Sequence, residues 1–197
     1  GVFALQDEIA GRIGAQLQTS LGVAVAPTAR TPIPPEAYDD YLKGRALYRK
    51  RQSLMQALAY FDSAVERAPE FAAGWASLAL TYETVHGYVT PAEVASLGDI
   101  GARLRSTSER AIALEPGSAM SLHVQGNLAR ADFRYAEAER LYRQAMAVDP
   151  TYPDVREDLA QLYNIVGYND EAVVEVRKLV ALEPFVANFW MPLLQGG

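Results

Sequence analysis

The side chains able to carry chemistry in this chain are few in kind. There is no cysteine among the 197 residues, which excludes disulfides, thiolate metal sites and thiol nucleophiles together. Only two histidines occur, His86 and His123, and neither has the Glu-x-x-His or His-x-x-x-His spacing that places two ligands on one helix face. No glycine-rich strand-to-helix phosphate loop and no Gly-x-Ser-x-Gly elbow is present. No catalytic residue, metal ligand or cofactor is therefore assigned, and the chain is expected not to be an enzyme. What remains is the chemistry of recognition: guanidinium and ammonium groups that hold carboxylates or a phosphate, and carboxamides that pair with the backbone of an extended peptide.

Composition narrows the partners. The 18 basic and 24 acidic residues give a net charge of -6, and the basic ones are scattered, so nucleic acid is not an expected partner. No run of about 18 apolar residues exists, and Gly1 to Glu8 lacks the basic and apolar regions of a signal peptide, so no membrane contact is expected. The lack of cysteine fits a reducing compartment, and the expected location is cytoplasmic. The chain begins without Met and ends in Gln195-Gly196-Gly197 soon after an apolar run, which reads as a piece of something longer.

The elements that must position any recognition side chains follow from an internal repeat. Ala64 to Pro69, Ala111 to Pro116, Ala145 to Pro150 and Leu179 to Pro184 end alike, with prolines 47, 34 and 34 residues apart. Counting back from each proline aligns Tyr41, Tyr48, Ala57, Phe61 and Ala64 in the first repeat with Trp75, Leu78, Ala79, Tyr82 and Ala111 in the second. The third carries Leu122, Gly126, Ala138, Tyr142 and Ala145, and the fourth Leu159, Ala160, Tyr163, Gly167, Ala172 and Leu179. Small residues let two helices approach, large ones fill the space between them, and the proline stops the second helix.

These positions resemble the tetratricopeptide-repeat (TPR) family over roughly residues 36 to 184. The resemblance implies an all-α, right-handed superhelix, an α-solenoid of about four helix pairs, with repeats at about 36–69, 70–116, 117–150 and 151–184 and a truncated fifth at 185–197. Gly44 stands where a Leu is usual, Ala129 where an aromatic is usual, and Arg156 where a Trp is usual. Ser53 with Gln56 forms a capping-box pattern opening the second helix of repeat one. Thr90-Pro91-Ala92-Glu93 forms another, so the second helix of repeat two is expected to start near 91 and run to about 114, with 86–89 as the turn. Gly98 and Gly101 weaken that extension, which is either a docking feature or a tolerated insertion.

Both ends carry apolar surface. Leu5, Ile9, Ile13 and Leu17 recur every four residues, predicting an amphipathic helix in segment 1–22, and Pro27, Pro32, Pro34 and Pro35 mark segment 23–35 as a semi-stiff linker. Phe185, Phe189 and Trp190 crowd the tail, as a fifth repeat cut short or as a dimer interface. Phe3-Ala4-Leu5-Gln6-Asp7-Glu8-Ile9-Ala10, the linker and Glu36 to Arg45 together resemble the C-terminal TPR region of bacterial class III adenylate or guanylate cyclases and winged-helix transcriptional activators. The resemblance implies a regulatory arm beside an effector domain; the cyclase centre itself needs paired metal-binding aspartates on strands, and no strand-rich segment is present.

By register with the family, the concave face carries Arg49 and Lys50 from repeat one and Glu83 from repeat two. Repeat three adds His123, Asn127 and Arg130, and repeat four Glu157, Gln161 and Asn164. The expected function is a non-catalytic protein-protein interaction module holding a peptide or partner domain in this groove. The alternatives are a dimerisation spacer using the apolar ends and a small-ligand sensor. A chaperone-type carboxylate clamp is disfavoured, since Leu42 and Ala46 occupy the positions of its Lys and Asn.

Overall fold

Proline punctuation and small-residue packing explain most of the architecture. In the computed structural model the described residues are 32–51 and 53–182, and the chain divides at Pro32/Ile33 into two units. The predicted N-terminal helix, most of the linker, and the fifth repeat with Phe185, Phe189 and Trp190 lie outside the described residues. Helix α1 (Pro35–Arg49) starts on a proline whose fixed φ suits the first helical position, with Glu36 near the positive end of the dipole and Arg49 near the negative end. Helix α2 (Leu54–Arg67) buries Leu54, Ala57, Leu58, Phe61, Ala64 and Val65, the three-and-four spacing of one apolar face. Helix α3 (Ala72–Thr84) is buried nearly all round.

A 3-10 turn (Val85–Gly87) and the six-residue α4 (Pro91–Ser96) lead to α5 (Ile100–Leu114). The remaining helices are α6 (Ala119–Ala131), α7 (Tyr135–Val148), α8 (Pro153–Val166) and α9 (Asn169–Leu182). Three of these helices, α2, α5 and α7, stop at a residue followed by proline. Ala68, Glu115 and Asp149 take φ of -136°, -143° and -134°, outside the helical region that a following proline ring disfavours. Helix α8 ends instead on Gly167 at φ 85°, a left-handed cap that glycine adopts without penalty.

The helices pair as α1/α2, α3/α5, α6/α7 and α8/α9, and each pair packs on the next through α2/α3, α5/α6 and α7/α8. Along the other face α1 touches α3, α3 touches α6 and α6 touches α8. This is an α-solenoid. One apolar cluster runs from Tyr48 and Phe61 through Leu78 and Leu80 to Val124, and a second from Leu141 and Tyr142 to Leu159 and Tyr163. Among the described residues no helix is long and apolar enough to cross a membrane.

The departures from the usual repeat residues have local causes. A Cβ on Gly44 would lie 2.6 Å from Phe61 Cε1, so the ring of α2 occupies the space a leucine would need. Ala129 is buried in the second cluster with Ala138 and Tyr142. Arg156 pairs at 2.8 Å with Glu175, a carboxylate buried in α9.

Two expectations are corrected. Ser53 does not cap α2 through its side chain: it sits at φ 53°, ψ 49°, whereas a capping hydroxyl needs extended backbone to turn back toward the third amide. The expected single helix from 91 to 114 is two helices. The Thr90–Glu93 capping box forms in both directions, but the chain breaks at Leu97 to Asp99, where Gly98 takes φ 70° and Asp99 Oδ1 accepts from Ala102 N at 2.9 Å to start α5. The weak glycine thus ends one helix and a stronger cap begins another.

Candidate binding groove

Helical spacing gathers the polar side chains. On α6, His123, Asn127 and Arg130 are four and three residues apart and share a face; on α8, Asp154, Glu157, Asp158 and Gln161 do the same. Glu83 and Thr84 come from the end of α3, and Tyr48 and Arg51 from the end of α1 and the turn after it. Together Tyr48, Arg51, Glu83, Thr84, Tyr88, Arg130, Asp154, Glu157, Asp158 and Gln161 line a cavity of ≈ 330 Å³ on the face built by α1, α3, α6 and α8.

Its floor is a hydrogen-bonded network. The Glu83 carboxylate accepts from Asn127 Nδ2 and from Arg130 Nη2. Asn127 Nδ2 also reaches Asp158 Oδ2 at 3.2 Å, while its Oδ1 accepts from the Tyr142 hydroxyl at 2.6 Å. Arg130 Nε donates to the same hydroxyl at 3.2 Å. A carboxylate only accepts, so His123 Nε2 donates to Asp158 at 2.5 Å, with His123 Nδ1 2.9 Å from the Tyr152 hydroxyl.

Above the floor two ion pairs join the first repeat to the fourth. Arg51 Nη2 donates to Glu157 Oε2 at 3.1 Å, and the Arg51 guanidinium lies 4.2 Å over the Tyr48 ring and beside the Tyr88 hydroxyl. Arg45 Nη1 and Asp154 Oδ2 stand 3.8 Å apart, within reach of charge attraction but beyond a hydrogen bond, and neither buried atom has another hydrogen-bond partner.

The electrostatics follow from crowding carboxylates in a dry place. Burial, reinforced by Asp158 and Glu157, pushes the Glu83 carboxyl up to about 8 against the pull of Arg130 and Asn127. Burial, with Asp158 and Asp154, likewise pushes Glu157 up to about 7 against Arg51. Burial acts on Asp158 in the same sense, but hydrogen bonds from His123 and Asn127 and the nearby Arg130 hold it below the usual range. Glu83 and Glu157 therefore change charge near neutral pH, while Asp158 is already ionised there.

The structure distributes the residues expected from the repeat register unequally. Glu83, Arg130, Glu157 and Gln161 line the cavity. His123 and Asn127 are enclosed, their polar atoms taken by Tyr152, Asp158, Glu83 and Tyr142, so they shape the floor and do not offer donors to a ligand. Arg130 faces the cavity with Nη2 bonded to Glu83 and Nε to Tyr142. Arg49, Lys50 and Asn164 are exposed and do not line the cavity. Register alone misses Arg45, Arg51, Tyr88, Asp154 and Asp158. The available signal is the acidic face of α8, Asp154 with Glu157 and Asp158, which needs cations opposite it. Among the described residues no three His, Asp or Glu side chains converge as a metal-binding group.

Comparison with known proteins bears on the fold. No curated protein sequence matches the chain. A thermophilic TPR protein of Thermus thermophilus, TTC0263, superposes with a TM-score of 0.59 at 21% identity, covering 82% of each chain. Pseudomonas aeruginosa pilF superposes with a TM-score of 0.50 at 22% identity, covering 82% of this chain and 77% of its own. At such identities the likeness is one of fold. Residues 129–191 match the tetratricopeptide-repeat family model, and the described solenoid has the fold of the TPR structures it resembles.

Proposed function

We propose that the chain is a non-catalytic protein-protein interaction module, the regulatory arm of a multidomain bacterial signalling protein, and that it holds an extended segment of a partner along the face of α1, α3, α6 and α8. The observation that carries the reading is the ≈ 330 Å³ cavity, which draws its lining from all four of those helices and the turn after α3. A continuous face built from successive repeats suits an extended chain, which meets several helices in turn. The polar lining offers side chains for orientation, and the half-buried Tyr88 offers apolar area that loses little freedom on contact.

A photo-cross-linking amino acid at Gln161, in the cavity, compared with one at the exposed Arg140 of α7, tests the reading. Adducts to a discrete partner from position 161 and none from 140 are expected. Adducts confined to position 140 would place the interaction elsewhere and overturn the groove assignment.

A further inference from the structure

Arg51 is not on a helix. It follows α1 at φ 51°, a left-handed conformation disfavoured for a residue with a Cβ, and Ser53 repeats it at φ 53°. From this strained turn its side chain crosses to the far arm of the groove. There the guanidinium finds a set of partners suited to arginine: the Glu157 carboxylate at 3.1 Å, the Tyr48 carbonyl oxygen at 3.1 Å and the face of the Tyr48 ring at 4.2 Å. Its side chain is only 11% exposed there.

The surroundings are made for a cation. Setting Arg51 aside, the cavity is lined by four carboxyl groups, Glu83, Asp154, Glu157 and Asp158, and by one guanidinium, Arg130. Arg130 is already committed to Glu83 and Tyr142, and Arg45 sits 3.8 Å from Asp154 without a hydrogen bond. The site therefore has an aromatic face, a carboxyl at hydrogen-bond distance, more carboxyl than guanidinium groups and a resident arginine held in unfavourable backbone geometry.

We propose that Arg51 is the internal occupant of a guanidinium pocket, and that the partner of this groove is an extended protein segment whose own arginine displaces it. The proposal rests on the groove reading above and names its ligand class. Displacement exchanges one arginine for another at Glu157 and Tyr48, and it lets the turn at Arg51 leave its left-handed conformation. Arg51 thereby sets a threshold: a segment without arginine has nothing to offer in exchange. Lysine, a point charge without the planar fork, is the weaker competitor.

The test is an array of short peptides carrying a single central arginine, each matched by versions with lysine or with neutral citrulline. It is probed with the wild-type chain and with Arg51→Ala, Arg51→Met and Glu157→Gln variants whose helicity is checked by circular dichroism. Removing the occupant is expected to tighten binding of arginine peptides about tenfold, and Glu157→Gln to weaken it about tenfold, with citrulline peptides unbound. Peptides that bind equally well without arginine would leave the groove reading standing and overturn the guanidinium pocket. Helical Arg51 variants that bind no tighter than wild type would overturn it too, and should those variants lose helicity, unchanged affinity in Glu157→Gln does the same. No binding by any peptide, together with no adduct at Gln161, removes both readings.

Discussion

Gly126 makes the closest helix-to-helix approach of the described glycines and gives the sharpest quantitative expectation. A Cβ built there lies 2.4 Å from Tyr142 Cε1 and 2.6 Å from Cδ1, well inside contact distance. Tyr142 cannot swing aside cheaply. Its ring is fully buried, and its hydroxyl donates to Asn127 and accepts from Arg130, so any shift is passed into the floor of the groove. Overpacking of this kind costs about 1–3 kcal/mol, and loss of the buried hydroxyl contacts adds about 1 kcal/mol. Replacing a helical glycine by alanine returns about 1 kcal/mol. Gly126→Ala is therefore expected to lose about 2 kcal/mol, or about 1 M in the urea midpoint at a slope of about 2 kcal/mol per molar. The internal control is Gly101→Ala, near the start of α5, where the added methyl meets only Asp99 Oδ1 at 3.4 Å. There the helix-propensity gain stands alone and stability is expected to rise by about 0.5–1 kcal/mol. Urea titrations followed by circular dichroism measure both. If Gly126→Ala matches or exceeds wild type, the close approach of α6 and α7 is not what glycine serves at this position.

Two further outcomes follow from the charged groups. Glu83 and Glu157 have folded pKa values raised to about 8 and about 7, against about 4.5 when unfolded, so the unfolded state loses their protons first as pH rises. Their contribution to stability is full below about pH 4.5 and is lost as pH climbs to about 8. Urea midpoints are therefore expected to fall between about pH 5.5 and about pH 8, and a Glu83→Gln, Glu157→Gln double variant to flatten that slope; a midpoint rising over this range in wild type and flat in the variant would reverse the assignment. Arg156→Ala takes from Glu175, 9% exposed, its 2.8 Å guanidinium and leaves Lys178 beside it, and a destabilisation of about 1–3 kcal/mol is expected by thermal or urea melting, rescued in part by Glu175→Gln.

The solenoid is legible in the sequence because its determinants are local. Pro69, Pro116 and Pro150 each close a helix through the residue before it, and Phe61 and Tyr142 recur at one offset from the repeat proline. The Thr90 capping box is legible for the same reason, since both of its bonds span three residues. Ser53 misleads because its sequence pattern matches a cap while its backbone, like that of Arg51, is left-handed and points the hydroxyl away. Segment 91–114 misleads because a glycine and a competing Asp99 cap decide a break that periodicity does not register. The groove is half legible. Register places side chains on the concave face, but it does not say which are spent on one another, and so His123 and Asn127 look available in the sequence while their polar atoms are taken within the floor. For the pairs of Arg45 with Asp154 and Arg51 with Glu157 the sequence shows only the acidic face of α8, and not which cations meet it, because the partners lie more than a hundred residues away.

Those two pairs also bear on how the chain folds. An open helical array couples only nearest neighbours, so its end units fray independently and its folding can start anywhere and spread. Arg51 and Glu157 are 106 residues apart, and their bond makes the first unit report on the fourth. Such a tie raises the mean sequence separation of contacts, which slows folding, and it binds the terminal units to a single melting event. Cutting it turns a closed ring of dependencies back into a row, in which α1 and α9 are free to unravel one at a time.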